Sequence, residues 1–380
     1  MRLIITVPWA QRLGGAEAML QGILEGAGES GHELEVVFFE PGPWAEELAA
    51  AGLRVEVIEA GRLRQVHRWV ATVLRLARLF RTRKPDLILN WSAKTHLYGS
   101  PAAVLAGMAD RVVWWQQAIP HRSWLDGTAT LLPATAIGCY SGPALQAQQR
   151  LFPKRPTFAV AAGSPAPEPH DGPPPLELPG GVPIVGLVGR LQPWKGQDRL
   201  LRAQAILRDR GREMHLVIVG GDSWGLSPEY AASLEPLIAQ LGLRDAVTMT
   251  GEVPDAGPYV EQMDILVNAS DPEPFGIVIL EGMARGIAVT AVNSGGPSEF
   301  VEDRRTGMLA RSGAPADLAD ALEPLLESAA LRAEIGAAGR ARYMEEYTTA
   351  ALRRRFFARF EEVLARKGTA AAPAAAAKAP

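Results

Sequence analysis

Ile184-Val185-Gly186-Leu187-Val188-Gly189-Arg190-Leu191-Gln192-Pro193-Trp194-Lys195-Gly196 decides how the chain is read. An apolar run of strand length breaks at a glycine into a loop that carries two cations, and helical spacing follows near Gln197–Arg210. The unit then recurs. Leu216–Val219 leads to a helix near Pro228–Leu241, and Val247–Thr250 and Ile265–Val267 are further strands. A helix from about Phe275 then precedes the strand Ala288–Val292. Apolar strands alternating with helices predict a parallel sheet covered on both faces, so the second half reads as doubly wound.

The first half has the same grammar. Leu3–Val7, Leu34–Phe39, Val55–Ile58, Leu87–Leu89 and Val112–Trp115 read as strands, and Gly15–Gly28 as a helix ending near Gly31. Arg62–Arg83 has helical period, with Val66, Trp69, Val70, Val73, Leu74, Ala77 and Phe80 on one expected core stripe and Pro85 as its stop. The expected domains are 1–165, a Pro-rich linker over 166–183, a second domain over 184–345, a helix over 346–367 packing back on the first domain, and a disordered Ala/Pro tail over 368–380. The fold class is therefore α/β, two doubly wound Rossmann-like domains facing across a cleft, with ligands expected beyond the carboxyl ends of the strands.

Composition narrows the function. The chain has 380 residues, 47% of them hydrophobic and 21% charged, enough to build two cores and too ordered in pattern for a disordered chain. The net charge of −3 argues against a general nucleic-acid binder. Cys139 is the single cysteine, which excludes an internal disulfide framework and a four-cysteine zinc site. No apolar run reaches the roughly 18–20 residues that span a bilayer, and Met1–Val7 reads as a buried strand rather than a signal peptide. A cytoplasmic protein, soluble or peripherally bound, is expected. The charge is uneven, with 17 basic and 13 acidic residues over 1–165 against 22 and 29 beyond. Arg62–Lys84 holds eight basic residues and no acid. It reads as an ordinary core-facing helix with a solvated basic back, or as a helix lying on an anionic membrane surface at the inner face of the membrane.

The post-strand loops carry the candidate chemistry. Gly189, Arg190, Lys195 and Gly196 suit a diphosphate: a bidentate fork, a point charge and close backbone approach. Lys195 is the only lysine between Lys154 and Lys367. Gly220-Gly221-Asp222 closes another strand. In Ser270-Asp271-Pro272-Glu273-Pro274-Phe275-Gly276-Ile277-Val278-Ile279-Leu280-Glu281 a loop enters a helix whose free N–H groups receive a phosphate or a sugar hydroxyl. Glu273 and Glu281 are carboxylates that sugar and ribose hydroxyls would satisfy. Gly295-Gly296 follows the next strand. In the first half Gly14-Gly15-Ala16-Glu17 opens a helix, and Gln117 and His121 lie after a strand as candidate substrate contacts. Each piece has a plainer reading as a turn or a solvated charge, and no nicotinamide fingerprint is present.

Taken as a set, the motifs resemble those of the retaining glycosyltransferases of family 4, which have the two-Rossmann GT-B fold. The residues that carry the resemblance are Gly14 to Glu17, Gly189-Arg190 with Lys195-Gly196, Val219 to Asp222, Asp264 and Ser270, and Glu273 to Glu281 around Phe275-Gly276. Met283-Ala284 with Gly286, and Gly295-Gly296 with Glu299, complete them. The resemblance implies a nucleotide-diphosphate sugar, UDP- or GDP-linked, held by the second domain as co-substrate with no further cofactor. A small-molecule, glycan or lipid-linked acceptor would lie on the first. Arg190 and Lys195 would neutralise the diphosphate, Glu273 would hold the donor sugar and Glu281 the ribose. Amides of Phe275, Gly276 and Ile277 would cap the phosphate, and Gly189 and Gly220 would line the donor site. Gly14 and Gly15 would close over the diphosphate, and Glu17, Gln117 and His121 would stand on the acceptor side. It also implies retention through a front-face path, without a metal, and the chain shows no paired-carboxylate site of the glycosidase kind. Two departures are visible. Gln117 stands where many members have histidine, with His121 four residues on, and Gly282 follows the second glutamate in place of alanine. The competing readings are a sugar-nucleotide epimerase, for which Glu17, His96 and His121 are the available acid/base groups, and a non-catalytic sugar-nucleotide-binding protein.

Overall fold

The computed structural model describes residues 1–370 except 13, 27, 29, 30, 122 and 152–154, with the side chains of 224 and 367–370 also left aside. The chain divides into two compact units, Met1–Ala161 with Ala350–Pro380, and Ala162–Thr349.

The first unit alternates β1 (Arg2–Val7), α1 (Gly15–Glu25), β2 (Glu33–Phe38), α2 (Pro43–Ala50), β3 (Arg54–Val57), α3 (Val66–Arg83), β4 (Leu87–Asn90), α4 (Ala93–Leu105), β5 (Val112–Gln116), α5 (Trp124–Leu131), β6 (Ala136–Cys139), α6 (Gly142–Leu151) and β7 (Thr157–Ala159). Its seven strands are all parallel in the order β3-β2-β1-β4-β5-β6-β7. The order reverses direction between β1 and β4, where Thr6 stands opposite Asn90. The inner strands β1, β2, β4, β5 and β6 are buried on both faces, hence their near-continuous apolar runs, whereas the edge strand β3 is partly exposed.

The second unit runs β8 (Ile184–Val188), α7 (Gln197–Asp209), β9 (His215–Val219), α8 (Pro228–Gln240), β10 (Val247–Gly251), α9 (Gly257–Val260), β11 (Ile265–Asn268), α10 (Ile277–Arg285), β12 (Ala288–Val292), α11 (Pro297–Phe300), β13 (Met308–Ala310), α12 (Pro315–Glu327) and α13 (Ala329–Arg342). A π-helical turn over Tyr343–Tyr347 follows. The six-stranded parallel sheet has the order β10-β9-β8-β11-β12-β13, so its reversal lies between β8 and β11. Its core joins Leu200, Leu201, Leu216, Ile218, Ile265, Val267, Leu318 and Leu322 from helices and strands.

Several boundaries differ from the sequence reading. The proline-rich stretch 166–183 belongs to the second unit, where Gln262 ties it down: its amide donates to the Leu176 carbonyl at 2.8 Å and its Oε1 accepts from the Leu176 N–H at 3.2 Å. Helix α1 stops at Glu25, and Gly26 caps it. Helix α3 starts at Val66 rather than Arg62, because the Arg62 N–H donates to the Gln65 side chain in a preceding turn. Its expected core stripe is split. Val73, Leu76, Ala77 and Phe80 are buried, whereas Val66, Val70 and Leu74 face solvent. Among the described residues no helix is long and apolar enough to cross a membrane.

The last helix, α14 (Thr349–Ala370), extends into the segment expected to be a tail; residues 371–380 lie outside the described residues. Phe356, Phe357 and Phe360 are its inner face. Phe356 stacks on Phe360 with centroids 4.2 Å apart and tilts against Trp115 at 5.9 Å, all within the first unit. Phe356→Ala would leave a cavity under β5, and a loss of about 3–5 kcal/mol is expected for an aromatic truncated in a rigid core. Denaturant melts of the variant that match the parent would show that α14 contributes nothing to this core.

Candidate functional site

In an open parallel sheet the crevice at the reversal of strand order is where loops diverge and expose backbone. In the second unit two loops leave that point, residues 189–196 after β8 and 269–276 after β11. They meet through one ion pair: Lys195 Nζ donates to Glu273 Oε2 at 2.8 Å. The pair is nearly out of water, with side-chain exposures of 18% for Lys195 and 8% for Glu273. Burial acts to raise the Glu273 carboxyl. Lys195, with hydrogen bonds from Ser270 and Asn268, outweighs it and holds the group below its ordinary value. The Asn268 amide donates to the same oxygen at 3.2 Å. The Lys195 ammonium also lies 4.0 Å from the centroid of the Trp194 ring.

Three further contacts fix the two loops. The Arg199 guanidinium donates to the Trp194 carbonyl at 3.0 Å and to the Ala269 carbonyl at 2.8 Å. The Asp271 N–H donates to the Trp194 carbonyl at 3.0 Å. Gly196, with φ +77, starts α7 where a Cβ would stand 2.5 Å from the Ala269 carbonyl oxygen, so only glycine fits this approach. The third loop, after β12, joins through the Gly296 N–H, which donates to the Glu273 carbonyl at 2.8 Å, and a bridge pairs Glu273 with Gly295.

Glu273 therefore sits at the confluence of three post-strand loops. Gly276, with φ +96, turns the chain into α10, which begins at Ile277 rather than Phe275 and has no side chain capping its first N–H groups. That leaves the positive helix end without a capping side chain, beside Glu273. Phe275 is buried and stacks on Phe300 at 4.9 Å, which anchors the turn. Glu281 lies on the second turn of α10, half-buried. Burial pushes its carboxyl up to about 7, with Asp255 adding to the effect and Arg285 opposing it. Arg190 is half-buried in the 189–196 loop, its carbonyl accepting from the Gln197 amide at 2.9 Å. Gly189 and Gly220 close the neighbouring strands through the Gly189 N–H to the Val219 carbonyl and the Gly220 N–H to the Gly251 carbonyl. Asp264 is not at the site: it stands at the start of β8, accepting from the Ile184 N–H at 2.8 Å.

The first-unit candidates disperse. Gly14 precedes α1 in extended backbone, and Gly15 opens the helix. Glu17 is buried in its first turn and accepts from the Trp9 indole at 3.3 Å. Gln117 has a buried side-chain nitrogen with no partner among the described residues, whereas the His121 side chain is 80% exposed. His96 cannot serve as an acid or base. It is wholly buried, stacked on Trp114 at 5.2 Å, and pushed down to about 3 by burial and Arg155. The residue that organises the loop after β5 is Asp126. It accepts from the Gln116 amide at 3.1 Å and the Ser123 hydroxyl at 2.9 Å, and lies 3.7 Å from His121 Nδ1. The Ser123-x-x-Asp126 spacing of a capping box was the available signal.

Comparison with known proteins agrees with this layout. Residues 173–342 match the family model for glycosyl transferases group 1, and residues 14–153 match that for a glycosyl transferase 4-like domain. The D-inositol 3-phosphate glycosyltransferase of Nocardia farcinica is 41% identical over 155 residues, 40% of this chain and 34% of that protein. The same enzyme of Stackebrandtia nassauensis is 38% identical over 170 residues, 43% of this chain and 38% of that protein. The match thus spans little more than a third of these curated relatives. Among solved structures, Anabaena HepE in complex with UDP has a TM-score of 0.79 at 22% identity, covering 95% of this chain and all of that one. Sucrose-phosphate synthase of Thermosynechococcus elongatus has 0.78 at 20% identity, covering 96% and 99%. The fold is the two-Rossmann GT-B fold of these proteins.

The ion pair can be tested without a substrate. Lys195→Met leaves Glu273 buried and uncompensated. A loss of roughly 3 kcal/mol is expected, the low end for breaking a buried pair because Lys195 keeps some exposure. Glu273 sits below its ordinary value, so its stabilisation is present at neutral pH and vanishes as pH falls through the folded-state value. The gap between parent and variant in urea melts is therefore expected to narrow in acid, and a gap that is constant with pH would refute the pairing.

Proposed function

We propose that the protein is a retaining, metal-independent glycosyltransferase that takes a sugar from a nucleotide-diphosphate sugar and passes it to an acceptor held by the first unit. The observation that carries this reading is the Lys195–Glu273 pair at the strand-order reversal, beside the uncapped start of α10. A leaving diphosphate develops negative charge, and preorganised cations and helix amides are what stabilise it. Lys195 and Arg190 supply the cations, and Gly276 and Ile277 the approach to the amides. Glu273 orients the donor sugar through its hydroxyls, and Glu281 the ribose. The two family-model matches, one on each unit, point to the same chemistry.

In this reaction the bond from the anomeric carbon to the diphosphate oxygen breaks, and the acceptor oxygen bonds to that carbon on the same face. The acceptor proton passes to the departing phosphate oxygen, so no protein nucleophile is needed. UDP is the favoured nucleotide, because HepE was solved with UDP and with UDP-glucose. The named relatives act on an inositol phosphate, which places a phosphorylated cyclitol beside glycans and lipid-linked sugars among acceptors to try. A cytoplasmic location fits a nucleotide-sugar user.

Lys195→Ala and Glu273→Ala are each expected to reduce transfer from the cognate donor at least a hundredfold, the scale of losing one preorganised charge. The check is an acceptor screen with UDP- and GDP-sugars, preceded by a thermal-shift panel with Arg190→Ala as control. Full activity in either variant would remove the assignment.

Glu281 adds a pH signature. Ribose hydroxyls donate more strongly to a carboxylate than to its protonated form, which keeps only a neutral carbonyl acceptor. Nucleotide affinity is expected to fall below pH 7 by up to tenfold per unit, and Glu281→Gln to flatten the profile by calorimetry. The unliganded protein behaves oppositely. Its folded state keeps a proton that the unfolded chain has already lost, so stability declines as pH rises from the ordinary carboxylate range toward 7.

A further inference from the structure

Helix α3 has two faces that differ in kind. The inner face buries Val73, Leu76, Ala77 and Phe80 against the sheet and α4, and Trp69 turns inward to donate to the Leu97 carbonyl at 3.2 Å. The outer face carries Val66, Val70 and Leu74, spaced by four and exposed by 68%, 41% and 56%. Arg78 continues the same line, and Arg68 and Arg75 flank it. Val104 and Leu105 are also exposed at the end of α4, where the Arg81 guanidinium bonds the Leu105 carbonyl.

The cations of this face stand without acids. Among the described residues no carboxylate lies within 4 Å of Arg62, Arg64, Arg68, Arg75, Arg78 or Arg81, and the helix itself contains none. In the second unit Arg208, Arg210, Arg212 and Arg311 pair with Asp or Glu, and the exposed arginines without such a pair among the described residues, Arg202, Arg244, Arg304 and Arg340, are scattered over separate elements rather than gathered on one helix face. An ordinary solvated helix back would mix both signs and keep aliphatic side chains off its crest. Here aliphatics and guanidinium groups alternate on one exposed face about 27 Å long.

We propose that this outer face of α3 is a docking surface for an anionic lipid bilayer. The arginines meet lipid phosphates, and Val66, Val70 and Leu74 enter the headgroup–acyl boundary, with the helix lying in the plane of the membrane. A nucleic acid would satisfy the arginines and could stack a base on the exposed His67 ring, but it would leave the aliphatic line in water. The proposal is independent of the transferase reading, since a chain without transferase activity would still bind the vesicles.

The test is co-flotation of the full chain with vesicles of phosphatidylcholine alone, or with about one-third phosphatidylglycerol, at about 0.1 M salt. The protein is expected to float with the anionic vesicles and not with the neutral ones. Arg68→Gln/Arg75→Gln/Arg78→Gln is expected to lower partitioning about a hundredfold, and Val70→Ser/Leu74→Ser about tenfold. Both sets are exposed, and unchanged melting temperatures would show that they fold. Absence of flotation would overturn the proposal, as would undiminished flotation of either variant set. Equal capture by a duplex RNA, with the aliphatic variant unaffected, would mark a general polyanion surface and overturn it as well.

Discussion

A carboxylate and an ammonium held 2.8 Å apart with little water around them are costly to desolvate, and the Lys195–Glu273 pair survives because its surroundings complete it. Asn268 shares the carboxylate, Arg199 clips the two loops together, and the Gly296 amide holds the Glu273 backbone. Close approach at Gly196 and the turn at Gly276 follow from the same requirement, that loops from β8, β11 and β12 converge on one point. The pair is graded: the carboxylate is the deeper partner, and the ammonium reaches toward solvent over Trp194.

Both sheets share the order 3-2-1-4 about their reversal point, yet they fill it differently. In the first unit the Thr6 hydroxyl donates to Asn90 Oδ1 at 2.8 Å, the Asn90 amide bonds the His96 ring at 3.1 Å, and that ring stacks on Trp114. All of these groups are buried, and burial keeps His96 neutral, so the junction is an uncharged part of the core. One topology thus yields an ionic crevice in one unit and a closed polar knot in the other, and the difference lies in side chains rather than in the path of the chain.

Much of this was legible in sequence. Lys195 and Glu273 declared themselves by position, each a charged residue just after an apolar strand, and the parallel sheet followed from strands with no polar face. Arg199 gave no such sign. It lies within a helix and acts on a carbonyl 70 residues away, which only the packed loops reveal. Helix α4 was missed because it is covered almost all round and holds Pro101, so neither amphipathic period nor composition marked it. Asp264, one of the residues that carry the resemblance, proves to be structural: it accepts from the Ile184 N–H at the start of β8. The stripe on α3 was misread at Val66, Val70 and Leu74 because periodicity gives the spacing of a face and not its width.

Net charge misleads in both directions here. Residues 166–380 carry a net excess of acid, which by itself would argue against an anion site in this half. Part of that acid is paired with arginine, as in Arg210 with Asp320 and Glu323, and Arg311 with Asp317. Exposed charges are screened within about 8–10 Å at physiological salt, whereas the uncapped end of α10 and the half-buried ammonium act at contact. Local placement of charge therefore says more about the crevice than the net count does. Placement likewise marks the outer face of α3, where Arg68, Arg75 and Arg78 stand on one exposed helix without a carboxylate within 4 Å among the described residues.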